Sequence, residues 1–407
     1  MQIFLLFINN LSLGWINVPK LTKKLLLSEF GMKIRERFYP TEKNDPDTYF
    51  LLMQAMDRFK NCDNKKSNSQ IRQEIQVCKK YWGCYPYHYF TYNLFRADME
   101  VGDEELKNYI PQYYWYNLFL PHHSNPKFFM IGENKIIIAQ FFKALKINQP
   151  ETLCILLNGC IYSSDMKQLT CSQVKNELYQ NNYEKLFVKP ADGSGGKGIY
   201  IFHKTDHGFV TKEGNFSFNE NFLDEIGKKQ DYIIQPGVIQ DNKIAAIYPK
   251  SVNTFRIITE NKKGVTRIVC AMLRIGQGQN EVDNISSGGI CVNINMHTGA
   301  LSDFAMSYSG DKFEFHPDTH FAFRNYIIPE WDEIRQFTLE SASKLPFLTY
   351  LGWDIGLTPD GPVSIEINRV PSIDVMEMIS GGLREAFRIN DPDYYWKHLG
   401  NRAGYIK

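Results

Sequence analysis

The chain has 407 residues, of which 43% are hydrophobic and 22% charged, with 46 Lys and Arg against 45 Asp and Glu. That is ordinary globular composition, too long for one core, and it suggests about two or three domains. The even charge balance gives no overall field for nucleic acid or an anionic membrane, and no nucleic-acid motif is present. The eight cysteines, at 62, 78, 84, 154, 160, 171, 270 and 291, lack CxxC spacing. They argue against a zinc site or disulfide framework and suit reduced thiols in the cytoplasm.

The opening stretch, MQIFLLFINNLSLGWINVPK, is apolar but has no basic leader and carries Asn9 and Asn10. It is shorter than the ~20 apolar residues of a membrane span, so it reads as a strand or helix packed on a domain. Residues 48–59 and 70–82 repeat apolar groups at helical spacing. Asn134 is placed to cap a helix over 136–145. From residue 185 onward, β-rich runs alternate with Gly, Asn and Asp clusters: LFVKP, GIYIF, YIIQP, TFRIIT, TRIVCAMLRI, ICVNIN and PVSIEIN. Residues 329–345 form a helix pattern with Pro329 at its start. Strands and helices mix without regular βαβ alternation, which predicts an α+β fold.

Three segments carry chemistry. The first runs FVKPADGSGGKG, from Phe187 to Gly198, with four glycines in six residues (Gly193, Gly195, Gly196, Gly198) between two β-runs. Glycines let successive backbone N–H groups approach phosphate oxygens, and Lys189 and Lys197 add full positive charge. The flanking strands and the absence of GxxxxGK[ST] exclude a Walker loop or a dinucleotide fingerprint. A plain glycine-rich hairpin is the bland alternative.

The second segment joins GWDIG at 352–356 to GPVSIEIN at 361–368 through turn residues Pro359, Asp360 and Gly361. A hairpin there brings Asp354 and Glu366 to adjacent strands, and Asn368 shares the face of Glu366. Such an oxygen set, amid apolar neighbours, suits Mg²⁺ when phosphate supplies the remaining ligands. A surface hairpin with solvated acids is the alternative. In the third segment, SVNTFRIIT, Arg256 lies inside an apolar strand and either pairs with a carboxylate or binds phosphate.

Together the motifs FVKPADGSGGKGI, SVNTFRIIT, DNISSGGI, HPDTHF and GWDIGLTPDGPVSIEIN resemble the ATP-grasp superfamily, and within it the sugar-transfer-associated branch, over about residues 127–380. The resemblance implies two α+β subdomains clasping ATP, with 126–185 a small α/β subdomain, 186–250 the glycine loop and adenine hinge, and 251–407 the magnesium site and C-terminal helices; ahead of them, 1–125 reads as a mostly helical region of unknown role. It implies phosphate contacts from Lys135, Lys189 and a loop of Gly193, Ser194, Gly195, Gly196, Lys197 and Gly198. It also implies adenine contacts from Gln235 and Val238, with Asp241 or Asn242 near the ribose. Lys189 and Arg256 take the catalytic role of neutralising the transferring phosphoryl group.

Asp354, Glu366 and Asn368 would bind magnesium, with Glu366 bridging two ions. Asn284, Ser287, Gly288, Gly289 and His316 fall in motifs on the acceptor side, although a lone histidine such as His316 is more often structural. The reaction implied is carboxylate–amine ligation through an acyl phosphate, with a small molecule or glycan precursor as substrate. A kinase and a non-catalytic nucleotide-binding partner of a glycosyltransferase system are the rivals. Homo-oligomerisation is left open.

Overall fold

Two antiparallel sheets organise the larger part of the chain in the computed structural model, which describes residues 46–193 and 198–398. The expected reading of the first 45 residues lies outside the described residues. Those described fall into two compact units, 46–122 with 381–398 and 123–193 with 198–380.

The first unit is helical, led by α1 (Pro46–Asn61) and α2 (Asn68–Trp82). Ser67 caps α2 by accepting from the Gln70 N–H, and Gly83 ends it at φ 73°, a left-handed conformation that glycine adopts without strain. The one acidic group on the buried stripe of α2, Glu74, is fully matched. It accepts from Lys66 Nζ at 2.9 Å and from the Tyr89 hydroxyl at 2.5 Å, as a charge in an apolar setting requires.

In the second unit the strands are β1 (Cys154–Leu157), β2 (Cys160–Tyr162), β3 (Gln168–Leu169), β4 (Lys185–Pro190), β5 (Tyr200–Thr205), β6 (Gly208–Thr211) and β7 (Tyr232–Pro236), then β8 (Thr254–Lys262), β9 (Val265–Ile275), β10 (Ile290–Ile294), β11 (Leu301–Ser307), β12 (Lys312–Phe313), β13 (Tyr350–Thr358) and β14 (Gly361–Asn368). The first sheet has the order β3-β2-β1-β7-β4-β5-β6 and the second β12-β11-β10-β9-β8-β13-β14. All the named strand pairs are antiparallel. The β-rich runs and the mixed α+β class read from the sequence are therefore what the chain forms.

Helix α3 (Lys135–Leu145) links the two layers. Its Ile136 and Ala139 pack with Ile155 and Ile233 of the first sheet. Its Phe142 joins the second-sheet core and stacks on Trp353, centroids 6.0 Å apart and planes 13° from parallel. Asn134 caps the helix as predicted, accepting from the N–H groups of Ile136 and Ile137. The first sheet is backed by α4 (Cys171–Gln180) and α5 (Glu220–Gly227), whose Val174, Leu178, Phe222 and Ile226 cover Leu186, Val188 and Phe202.

The second sheet is backed by α6 (Trp331–Ser343), which starts two residues later than Pro329 suggested. Glu330 has φ 55°, so the helical dihedrals can begin only after it. Each large apolar side chain buried in these layers contributes roughly 1.5–3 kcal/mol.

Candidate functional site

Alternation on β4 sorts its side chains by face. Leu186, Val188 and Pro190 are buried in the first-sheet core, which leaves Lys185, Phe187 and Lys189 on the other side. In register, Phe187 lies opposite Gln235 and Lys189 opposite Ile233, so these β7 residues share that outer face. Lys189 Nζ donates to Gln235 Oε1 at 3.0 Å and sits 5.6 Å from the centroid of the Phe187 ring. Gln235 Nε2 in turn donates to the Pro150 carbonyl at 3.4 Å. Burial drives the Lys189 pKa down, Glu366 opposes this and Lys135 adds to it, with the net result about 8.

Lys135, the first residue of α3, is the point where the sheets meet. Its backbone N–H donates to the Ala191 carbonyl at 2.8 Å. Its Nζ donates to the Gly193 carbonyl at 2.8 Å and lies 3.2 Å from Glu366 Oε1. Lys135, Lys189, Gln235, Glu366 and the apolar Ala139 and Ile233 line one cleft between the two sheets.

Across that cleft, β13 and β14 form the expected hairpin, with Asp354 opposite Glu366 and Gly352 opposite Asn368. The register then slips: Ile355 pairs with Ser364, which leaves Ile365 as the extra residue of a bulge. The Glu366 side chain is 36% exposed. The Asn368 Nδ2 is buried without a hydrogen-bond partner.

Asp354 is engaged otherwise than the magnesium reading assumes. It is gripped by Arg256 through Nε at 2.5 Å and Nη2 at 3.0 Å, and by Arg274 Nη1 at 3.3 Å to each oxygen. Burial raises its pKa, but Arg256 and Arg274 outweigh that, so the carboxylate stays below its ordinary range. Arg274 Nη2 also donates to Asp283 Oδ1 at 2.7 Å and Asn284 Oδ1 at 2.6 Å. Asp283 further accepts from the Thr254 backbone at 3.1 Å and from its hydroxyl. Burial lowers the Arg274 pKa, yet Asp283 and Asp354 together raise it.

Among the described residues no group of three or more His, Cys, Asp and Glu could by itself hold a metal ion. The donors available are a solvent-reaching carboxylate on Glu366 and the half-buried amide of Asn368, whose nitrogen lacks a partner. A hard divalent ion that takes most of its ligands from phosphate and water suits so sparse an oxygen set. The residues therefore fit magnesium carried with a polyphosphate better than a protein-caged ion.

Gly193 and Gly198 border the loop, at φ 139° and 75°, while Ser194, Gly195, Gly196 and Lys197 lie outside the described residues. Val238 is half-buried just beyond β7. Asp241 caps the short helix Asn242–Ala245, its Oδ1 accepting from the Lys243 N–H at 2.8 Å, and its own N–H donates to the Leu357 carbonyl at 2.8 Å. Ser287 ends a 3₁₀ turn, Gly288 follows at φ 94°, and the Gly289 N–H returns to the Asn284 carbonyl at 3.1 Å.

His316 is fully buried. Its Nε2 meets the Gly276 carbonyl at 2.8 Å and its Nδ1 accepts from the N–H groups of Asp318 and Thr319. That pattern requires the neutral Nε2–H tautomer, and burial lowers its pKa accordingly, against the Gly276 bond. Both ring nitrogens are thus used by the fold.

Sequence reading passed over Arg274, Asp283 and Glu281. Arg274 had a signal, since it lies in the apolar run TRIVCAMLRI just as Arg256 lies in TFRIIT.

A family model described as sugar-transfer associated ATP-grasp matches residues 117–388. The endospore coat-associated protein YheD of Bacillus subtilis is 30% identical over 120 residues, 26% of this chain and 25% of that protein. The chain thus aligns with a quarter of the length of that curated relative. D-alanyl-alanine synthetase A from Vibrio cholerae is similar with a TM-score of 0.37 at 14% identity, covering 67% of this chain and 65% of that one. The biotin carboxylase domain of Hydrogenobacter thermophilus 2-oxoglutarate carboxylase, in complex with MgADP, has a TM-score of 0.37 at 13% identity, covering 65% and 46%.

Proposed function

Because this chain belongs to the sugar-transfer associated ATP-grasp family, we propose that its cleft binds ATP with magnesium and that it is a carboxylate–amine ligase. The acceptor is a sugar-containing or cell-surface polysaccharide precursor, and the reaction passes through an acyl phosphate with release of ADP and phosphate. The observation that carries this reading is the convergence of Lys135, Lys189 and Glu366 on one cleft between the two sheets.

Each residue has a defined task. Lys189, on a strand and braced by Gln235, presents one positive charge from the floor of the cleft. Lys135 presents a second, tied by its backbone to Ala191 and thus to the start of the glycine loop. Glu366 and Asn368 would hold magnesium (two ions), with Asp354 behind them, and the metal when bound neutralises charge on the transferring phosphoryl group. Arg256 and Arg274 hold Asp354 ionised and fixed, and Arg256 is the cation available to the acyl phosphate. Gln235, Val238 and the turn at Asp241 form the base and ribose end.

Catalysis of this kind needs no covalent nucleophile from the protein, only positioning and preorganised charge. The acceptor-side loop is assigned to Asn284, Ser287, Gly288 and Gly289. The segments 126–185, 186–250 and 251–407 supply the clasp.

The test is product analysis with a panel of amino acids and amino or uronic sugars. ADP, free phosphate and an amide are expected. A stable phosphorylated acceptor with ADP would instead make the protein a kinase. ATP binding without magnesium dependence and unchanged in Glu366→Ala would leave a non-catalytic nucleotide-binding protein.

A further inference from the structure

The segment 276–289, between β9 and β10, carries a carboxylate away from its own sheet. Glu281 Oε1 accepts from Lys185 Nζ at 2.7 Å, and Glu281 Oε2 lies 3.0 Å from His203 Nε2. Lys185 and His203 are directly opposite each other on β4 and β5. Glu281 therefore bridges a cross-strand pair of the first sheet while its loop belongs to the second. Among the described residues, no other side chain of this loop bonds to the first sheet.

The base of that arm is stiff. The Tyr248 hydroxyl donates to the carbonyls of Gly278 at 3.1 Å and Asn280 at 3.0 Å, and Asp318 accepts from the Gly278 N–H at 2.6 Å. His316 holds the Gly276 carbonyl and stacks on Tyr248, centroids 5.2 Å apart. Beyond Glu281, Arg274 clamps Asp283. A pull on Glu281 is therefore transmitted to the second sheet rather than absorbed by a slack loop.

The far end is equally well placed. Lys185 shares the face of β4 that carries Lys189, four residues away, roughly 13 Å at the rise of a strand. The carbonyl of Lys185 accepts from the Gly237 N–H at 2.9 Å, in the turn after β7. Two side-chain ion pairs thus stand at opposite ends of the cleft: Lys135 with Glu366 beside the glycine loop, and Glu281 with Lys185 beside the turn that follows Gln235. The Glu281 carboxylate is mostly buried. Burial alone would raise its pKa, but the bonds from Lys185 and His203 hold it below the ordinary range, so it stays charged in the contact.

We propose that Glu281 is a latch across the cleft, and that its release from Lys185 and His203 sets the rate at which nucleotide enters and leaves. The inference rests on the nucleotide reading of the cleft. It assigns regulation to an ion pair that the chemistry itself does not use.

The test compares wild type, Glu281→Gln and the charge swap Lys185→Glu/Glu281→Lys on the full chain. Hydrogen exchange without nucleotide reads the tie directly. Glu281→Gln should speed exchange in 276–289 and in β5 but not in β13, and the swap should slow it again. Stopped-flow mixing with a fluorescent ADP analogue reads the gate. Association and dissociation should both rise about fivefold in Glu281→Gln with little change in their ratio, and return in the swap.

Unchanged exchange and rates, or a swap that fails to restore them, would overturn the latch. An analogue that binds in a Lys189-dependent way, yet with rates indifferent to Glu281, removes the gate and leaves the nucleotide reading standing. No binding to wild type, with exchange still responding to Glu281, removes the nucleotide reading and the gate with it.

Discussion

Lys189 offers a direct measure of whether the cleft is built for an anion. Its pKa is pulled down to about 8, first by burial, with Lys135 adding to the effect and Glu366 opposing it. The unfolded chain keeps the ordinary value near 10.5. Between these values the unfolded state binds more protons, so the lysine penalises the empty fold below pH 8, and the penalty fades as pH rises toward 10.5. A bound polyphosphate would reverse the preference by supplying the missing counter-charge.

If Lys189 contacts the polyphosphate as proposed, only its protonated form should bind well. With a free-state pKa of 8 the protonated fraction falls from about 91% at pH 7 to about 9% at pH 9, so affinity for MgATP should drop about tenfold, near 1.4 kcal/mol. Binding at pH 9 should take up about 0.9 proton. Calorimetric titrations of MgATP in buffers of different ionisation heat measure both quantities at constant free magnesium. Lys189→Arg keeps its charge throughout and should flatten the profile, while Lys189→Met should be weak and flat. A wild-type affinity level from pH 7 to 9, or the same decline in Lys189→Arg, refutes the reasoning.

Three further outcomes follow from the same geometry. Arg274→Met leaves Asp283 and Asp354, 9% and 6% exposed at their side chains, short of their shared cation. The second unit should lose about 3 kcal/mol in chemical denaturation, and adding Asp283→Asn should recover part of it; a loss below about 1 kcal/mol would contradict the network. Phe142→Ala opens a cavity beside Trp353 and should cost about 3–5 kcal/mol, read from the shifted unfolding of tryptophan fluorescence. Glu366→Gln should lower turnover by about a hundredfold or more while ATP binding stays within about tenfold, and equal losses in both assays would move Glu366 out of the phosphoryl-transfer step.

Local patterns in the chain carried much of this architecture. The cap at Asn134, the hairpin that sets Asp354 against Glu366, and the alternation that turns Lys189 outward each depend on residues a few positions apart. Period, turn chemistry and capping are therefore enough to find them. Pairings across long separations were not legible. Asp354 meets Arg274 over 80 residues and Lys185 meets Glu281 over 96, and nothing local distinguishes such a lysine or glutamate from a solvated one. His316 is a mixed case: its motif suggested an acceptor contact, and although the bonds from Asp318 and Thr319 are local, the one to Gly276 spans 40 residues and exists only once two loops have come together. Ile365 shows a third kind of failure. A strict two-residue period would give Glu366 and Ser364 the same face, and the extra residue in the β13–β14 register breaks this.

The ion pairs Lys135–Glu366 and Lys185–Glu281 differ in what can undo them. Lys135 and Glu366 are groups that a polyphosphate and its cation would both seek, so an arriving ligand competes with that ion pair directly and lowers the cost of parting it. On the proposed reading Lys185, His203 and Glu281 stand at the base end, where an uncharged purine would offer neither carboxylate nor ammonium a better partner. Ligand binding would therefore loosen one end of the cleft on its own account and leave the other to thermal opening. For that reason a change at Glu281 should alter rates in both directions nearly equally, whereas a change at Lys135 should alter affinity. Measuring Lys135→Gln beside Glu281→Gln with the same fluorescent analogue separates the two. A Lys135 variant with unchanged affinity, or a Glu281 variant that shifts affinity alone, would show that the ends are not independent.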